Sequence, residues 1–188
     1  LPTEGENVNS LALRGLERLK DPDMPGIMSK EAEDLIHLGN TRDNFHELSE
    51  CDWIAEAVVE RLDIKKALYK KLHENCKKST IITSNTSTIP ISLLTEGMPQ
   101  DFCERFAITH FFNPVRFMRL LELVRGEQTR QDVIHTLDVF CESMLGKGVV
   151  PCSDTPGFLA NRVGVFAIQC ALHKAFEYSF SQTEADAF

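Results

Sequence analysis

No cysteine in this 188-residue chain sits at CxxC or metal-ligand spacing from another. The six (Cys51, Cys76, Cys103, Cys141, Cys152 and Cys170) are widely scattered, mostly beside apolar positions, where free cysteine acts as a small buried hydrophobe. The pattern gives no metal cluster and reads as reduced thiols in a reducing compartment. Long apolar runs are also missing, and none approaches the roughly 20 residues that span a bilayer. Positive charge is short: 20 Lys and Arg stand against 28 Asp and Glu, a net charge of -8. That argues against general nucleic-acid binding, which needs a basic surface, but leaves room for a local basic pocket facing a phosphorylated ligand. No G-x-G-x-x-G follows a strand; Gly146-Lys147-Gly148 follows a helix and leads to a strand, the wrong order for a phosphate-binding turn. Initiator Met, signal-like segment, internal repeat and low-complexity tract are all absent. With Phe188 falling inside what reads as a further helix, the expectation is an internal fragment.

What is present is an alternation. Residues about 6–20 read as a helix, with Leu11, Leu16 and Leu19 on one side and Asp21-Pro22-Asp23 ending it. Ser29 reads as the cap of a short turn, and Leu35-Ile36-His37-Leu38 as a short strand. Asp52–Val59 reads as a strand, and residues about 63–77 as a helix with Ile64, Leu68 and Leu72 in one row. Strands are expected at 80–83, 105–110 and 119–124, with a short helix at about 91–95. An amphipathic helix over about 129–145 and a strand at 149–152 follow. Strand-helix-strand alternation predicts an α/β fold with a mainly parallel sheet. The helix at about 157–178 is apolar nearly all round, so it must pack on something this chain lacks.

In open α/β sheets ligands bind beyond the carboxyl ends of the strands. Four polar motifs are expected there: Glu60, Ser84-Asn85-Thr86-Ser87, His110 with Asn113, and Asp154-Thr155-Pro156-Gly157. Each alone is ordinary turn chemistry; four in phase along one edge indicate a site. Thr109-His110-Phe111-Phe112-Asn113-Pro114 stands out, because Glu122 follows twelve residues after the histidine on a second apolar run. An imidazole whose other ring nitrogen meets a carboxylate is a general base of fixed tautomer. Asn161 lies near the start of the apolar helix, where a polar side chain is costly without a partner. Lys65 opens the lysine-rich helix near the strand edge, where a helix start attracts phosphate.

Ser84-Asn85-Thr86-Ser87-Thr88-Ile89-Pro90, His110-Phe111-Phe112-Asn113-Pro114, Leu121-Glu122-Leu123-Val124 and Asp154–Arg162 together resemble the L-3-hydroxyacyl-CoA dehydrogenases. The first motif looks most like the long-chain and multifunctional β-oxidation branch. The resemblance implies an incomplete Rossmann-like, doubly wound sheet followed by the first helix of an all-α C-terminal domain. Residues 1–154 would be the NAD-binding domain without its first β-α-β unit, and 155–188 the start of the helical substrate and dimerisation domain.

The resemblance also implies the roles. His110 matches the catalytic base and Glu122 the carboxylate that orients it. Ser87 and Asn161 match residues near the reacting oxygen that help seat substrate and nicotinamide. Asn113 and Glu60 match positions at the nicotinamide end of NAD, and Lys65 a position between cofactor and CoA. The implied partners are a 3-hydroxyacyl-CoA substrate and, for the whole protein, a homodimer or multifunctional complex. No nucleic acid, membrane span or metal is implied. The setting would be a bacterial cytoplasm, with mitochondrion or peroxisome as alternatives. NAD rather than NADP rests on the resemblance alone. Two rival readings stay open: a short-chain 3-hydroxybutyryl-CoA dehydrogenase, and a non-catalytic binding module lacking the phosphate turn. The 188-residue chain by itself is expected to bind NAD weakly and to be inactive.

Overall fold

In the computed structural model of the protein, residues 7–187 are described; the expected helix start at Glu6 and the expectation at Phe188 lie outside them. Ser10–Leu19 forms α1 and Lys30–Glu33 α2, the latter capped by Ser29 as expected. The central order is then β1 (Trp53–Glu56), α3 (Leu62–Asn75), β2 (Ile81–Ser84), α4 (Ile91–Leu94), α5 (Gln100–Cys103) and β3 (Phe106–Phe111). After these come β4 (Leu120–Arg125), α6 (Gln131–Ser143), β5 (Gly148–Cys152), α7 (Ala160–Glu177) and α8 (Gln182–Ala185). The five strands form one sheet in sequence order.

Alternate residues of a strand face opposite sides, and β3 shows what each side packs against. Phe106 and Ile108 join Tyr69 and Leu72 of α3, Phe102 of α5, and Val124 of β4 in one core. Ala107 and Leu123 join Val133 and Leu137 of α6 in the other. Helices therefore cover both faces, as the expected α/β class requires. Phe106 is fully buried, stacked on Phe102 at 5.4 Å and edge-on to Tyr69 at 5.1 Å.

Three expectations need correction. Residues 35–38 form no strand. A strand needs a hydrogen-bonded neighbour, and β1 is paired on one side only, to β2; Leu35 is left exposed. The strand expected to reach Val59 stops at Glu56, whose side chain turns back and takes the N–H of Val58 at 2.7 Å. A local side-chain acceptor of this kind competes with the ladder and ends it.

The third correction concerns direction. β1, β2 and β3 are parallel, but β4 runs antiparallel to β3, and β5 follows β4 in parallel. The carboxyl end of β5 therefore lies at the opposite edge from His110. Asp154 is not in phase with the other three motifs. Its carboxylate caps α4 instead, accepting the N–H groups of Ile91 at 2.9 Å and Ser92 at 3.4 Å.

From Asp154 the chain crosses back towards His110. Gly157 (φ 77°) and Phe158 (φ 45°) are both left-handed, a conformation easy for glycine and strained for phenylalanine. The turn drives the Phe158 ring into the core and aims α7 away from it. No residue of α7 is buried, and Val163, Phe166, Ile168 and Phe176 are all exposed. No helix among the described residues is long and apolar enough to cross a membrane.

Phe106→Ala should cost about 3–5 kcal/mol, because it removes the ring that α3 and α5 share. Urea denaturation of the complete reading frame carrying these residues measures it. A loss below about 1 kcal/mol would mean that the two helices do not depend on this contact.

Candidate active site

His110 continues the row of Phe106 and Ile108 to the point where the core runs out, and only 5% of it is exposed. The antiparallel register sets Glu122 directly across from it. Nδ1 of His110 lies 2.6 Å from Oε2 of Glu122. The other oxygen, Oε1, accepts the N–H groups of Leu159 at 2.9 Å and Ala160 at 2.7 Å, where α7 begins.

A fully buried carboxylate is costly unless it is paired and hydrogen-bonded; here an imidazole and the two backbone donors at the N-terminus of α7 meet that need. An ionised carboxylate can only accept, so the His110 proton belongs on Nδ1 and Nε2 keeps its lone pair. The rings of Phe112 at 4.6 Å and Phe158 at 5.7 Å flank the imidazole and limit water around it. Burial first, then the charge of Glu122, pushes the Cys152 thiol up, so it remains protonated beside the pair.

Ser87 closes the row: its Oγ lies 3.1 Å from Nε2 of His110. It is carried there by the turn after β2, which is tied on both sides. Asn85 donates its N–H to the Glu56 carbonyl at 2.7 Å and accepts the N–H of Phe111 on its side-chain oxygen at 2.9 Å. Glu60 accepts the hydroxyl of Thr86, the N–H of Ser87 at 3.3 Å and the hydroxyl of Thr88.

Lys65 requires a correction. It was expected at the strand edge, within reach of cofactor and CoA. It is 1% exposed, with its ammonium 2.8 and 3.0 Å from the two oxygens of Glu56 and 3.2 Å from Oε2 of Glu60. An ammonium has three donors, and these three acceptors use them all. Among the described residues Lys65 is thus held by Glu56 and paired with Glu60.

Glu56 itself was missed. It sits 3% exposed beneath the site and accepts Tyr69 Oη at 2.6 Å and Ser84 Oγ at 2.7 Å as well. An isolated acid inside Trp53-Ile54-Ala55-Glu56-Ala57-Val58 was the available signal, since a carboxylate on a buried strand needs partners.

Asn113 and Asn161 are not brought into the same cleft. Asn113, whose peptide to Pro114 is cis, lines a groove of about 760 Å³ with Phe111 and Lys147. Asn161 lines another of about 670 Å³ with Thr88 and Pro156. Each groove begins one residue from the Ser87–His110 pair, through Phe111 in one case and Thr88 in the other. Neither asparagine side chain makes a hydrogen bond among the described residues. No cluster of potential metal ligands occurs among them either.

A sheet whose edge presents a carboxylate-oriented imidazole and a hydroxyl defines an α/β domain equipped for proton transfer. Residues 7–155 match the family described as 3-hydroxyacyl-CoA dehydrogenase, NAD binding domain, and the chain belongs to that family. A probable 3-hydroxyacyl-CoA dehydrogenase of Deinococcus radiodurans is 40% identical over 178 residues, which is 95% of this chain and 51% of that protein. A putative fatty acid oxidation complex trifunctional enzyme of Rickettsia prowazekii is 36% identical over 99% of this chain and 26% of its own length. Among solved structures, 3-hydroxybutyryl-CoA dehydrogenase of Escherichia coli superposes with a TM-score of 0.77 at 35% identity, over 93% of this chain and 38% of that one. The chain thus spans about half the length of the Deinococcus relative and about a quarter of the Rickettsia one. The family's domain binds NAD.

Glu60 ties the turn electrostatically. Burial pulls its carboxyl upward, but Thr86, Lys65 and the Ser87 N–H outweigh that and hold it below its ordinary value of 4.5. A value lowered by folding means stability that is present above about pH 4.5 and lost as pH falls through the folded value. Thermal unfolding should therefore move to lower temperature below that pH, and Glu60→Gln should flatten that part of the profile. An identical acid limb in Glu60→Gln would show that Glu60 carries none of it.

Proposed function

We propose that the protein carrying this span oxidises an L-3-hydroxyacyl-CoA to the 3-oxoacyl-CoA with NAD, as a step of fatty-acid β-oxidation. The observation that carries the reading is the row Ser87 Oγ–His110 Nε2–Glu122, at 3.1 and 2.6 Å. Hydride departure from an alcohol carbon requires loss of the hydroxyl proton. His110 Nε2 accepts that proton, and Glu122 holds Nδ1–H in place and balances the imidazolium that results. General-base assistance of this kind contributes typically about 10²–10⁴-fold. Ser87, which holds Nε2 in the free protein, gives up that position to the substrate hydroxyl and donates to the reacting oxygen.

NAD, when bound, supplies the hydride acceptor. The side-chain amides of Asn113 and Asn161, unpaired with protein among the described residues, suit the carboxamide of nicotinamide and the polar groups of the substrate. Glu60 supports the nicotinamide end by fixing the Ser87 turn. Residues 1–154 are then the cofactor domain and 155–188 the opening of a helical substrate and dimerisation domain, a division that the fully unburied α7 favours. A homodimer or a multifunctional complex completes the site, and a cytoplasmic setting goes with the bacterial relatives.

The same three residue types build the nucleophilic triad of serine hydrolases, a second reading that the arrangement around Ser87 disfavours. An acyl-transfer site needs free N–H donors for the oxyanion. Here the N–H of Ser87 goes to Glu60, and those of Thr88 and Ile89 go to Thr86 Oγ1. The Glu60 carboxylate would also repel a developing oxyanion. A pure binding module has no use for the costly burial of Glu122.

His110→Gln, assayed by NADH formation in the complete reading frame, should lower kcat by about 10²–10⁴-fold. The KM for NAD should stay within a few-fold. Unchanged turnover would remove His110 as the base.

A further inference from the structure

We propose that Thr86 is the positioning residue that aims Ser87 at His110, an inference that rests on the dehydrogenase reading above. Thr86 is 1% exposed, so it touches neither substrate nor cofactor. Its hydroxyl nevertheless has every bond it can make. Oγ1 donates to Oε1 of Glu60 and accepts the N–H groups of Thr88 at 3.3 Å and Ile89 at 3.0 Å. A hydroxyl has one donor and two lone pairs, and all three are used.

The Thr86 backbone is fixed as well. Its N–H goes to Ser84 Oγ at 3.2 Å, and that hydroxyl donates to the buried Glu56 at 2.7 Å. Ser87 follows directly, with its own N–H on the same Glu60 oxygen that Thr86 holds. The direction of the Ser87 side chain is therefore set from both flanks by one hydroxyl. Beneath it lies the ion pair of Lys65 with Glu56 and Glu60, which cannot shift without unpairing a buried charge. Three groups tie the turn to Glu60, the Thr86 hydroxyl, the Ser87 N–H and the Thr88 hydroxyl, and of the two side chains that of Thr86 is the buried one.

Valine has the shape of threonine without the hydroxyl. Thr86→Val would strand the N–H groups of Thr88 and Ile89 and remove the buried one of the turn's bonds to Glu60. Ser87 would then lose its aim at Nε2, and a displacement of about 1 Å in a reacting constellation costs on the order of 10²-fold in rate.

The test uses Thr86→Val, Thr86→Ser, Ser87→Ala and the double variant in the complete reading frame, with Thr86→Ala replacing Thr86→Val should the latter not fold. Thr86→Val should lower kcat by about 10-fold or more with little change in the KM for NAD, and Thr86→Ser should keep most of the activity. In the Ser87→Ala background, Thr86→Val should add less than about twofold, because a residue acting through Ser87 has nothing left to position. Independently of turnover, the ¹⁵N resonance of His110 Nε2 should move in Thr86→Val to its position in Ser87→Ala, and stay in place in Thr86→Ser.

An undiminished cost of Thr86→Val in the Ser87→Ala background would overturn the proposal, as would an Nε2 resonance unmoved by Thr86→Val. A folded parent protein without dehydrogenase activity would sink the functional reading instead. The Nε2 resonance would then decide the role of Thr86 alone.

Discussion

Glu122 is the side chain on which the arrangement of the site depends. Its two oxygens join three elements: β4 carries it, β3 meets it through His110, and α7 meets it through the N–H groups of Leu159 and Ala160. A carboxylate with no exposed surface must have all of these partners, because each missing bond would leave a buried charge short of compensation. The requirement runs in both directions. The helix needs an acceptor at its first turn, the imidazole needs a partner for Nδ1, and one residue meets both needs. The left-handed turn at Gly157 and Phe158 is the local conformation through which the chain delivers those backbone donors.

A second buried acid, Glu56, does the same for the other half. It collects Lys65, Tyr69, Ser84 and the N–H of Val58 under the ends of β1 and β2. Lys65 passes that fixity to Glu60, and Glu60 passes it to the turn holding Ser87. The two networks meet where Ser87 Oγ lies on Nε2 of His110, beside the bond from the Phe111 N–H to the Asn85 side chain. The row of Ser87, His110 and Glu122 is thus set by two charge clusters on opposite sides of it, which gives the turn residue Ser87 a precision like that of its two strand-borne neighbours.

Much of this was legible in the residues, for reasons that differ by element. α3 and α6 carry rows of apolar residues at helical spacing, and their observed limits lie within about two residues of those expected. The pairing of His110 with Glu122 was legible because a short loop between two apolar runs folds them side by side, and equal parity then puts both on one face. The consequence of that same loop for β5 was not drawn. Reversing β4 also reverses the strand parallel to it, which carries Asp154 to the far edge. The burial of Lys65 was not legible, because a lysine at a helix start near the strand edge reads as a phosphate contact and only the tertiary approach of Glu56 makes its burial tolerable. Asn113 and Asn161 line separate grooves, one after β3 and the other at the start of α7, a placement that no local pattern encodes.

The imidazole–carboxylate pair is tested most directly by the tautomer of His110, read from the ¹⁵N shifts of its two ring nitrogens above the pH at which the ring is neutral. A carboxylate on Nδ1 predicts a protonated Nδ1 and a bare Nε2, and Glu122→Gln should disturb that preference. A protonated Nε2 in the unsubstituted protein would leave no lone pair facing Ser87, and His110 could not be the base.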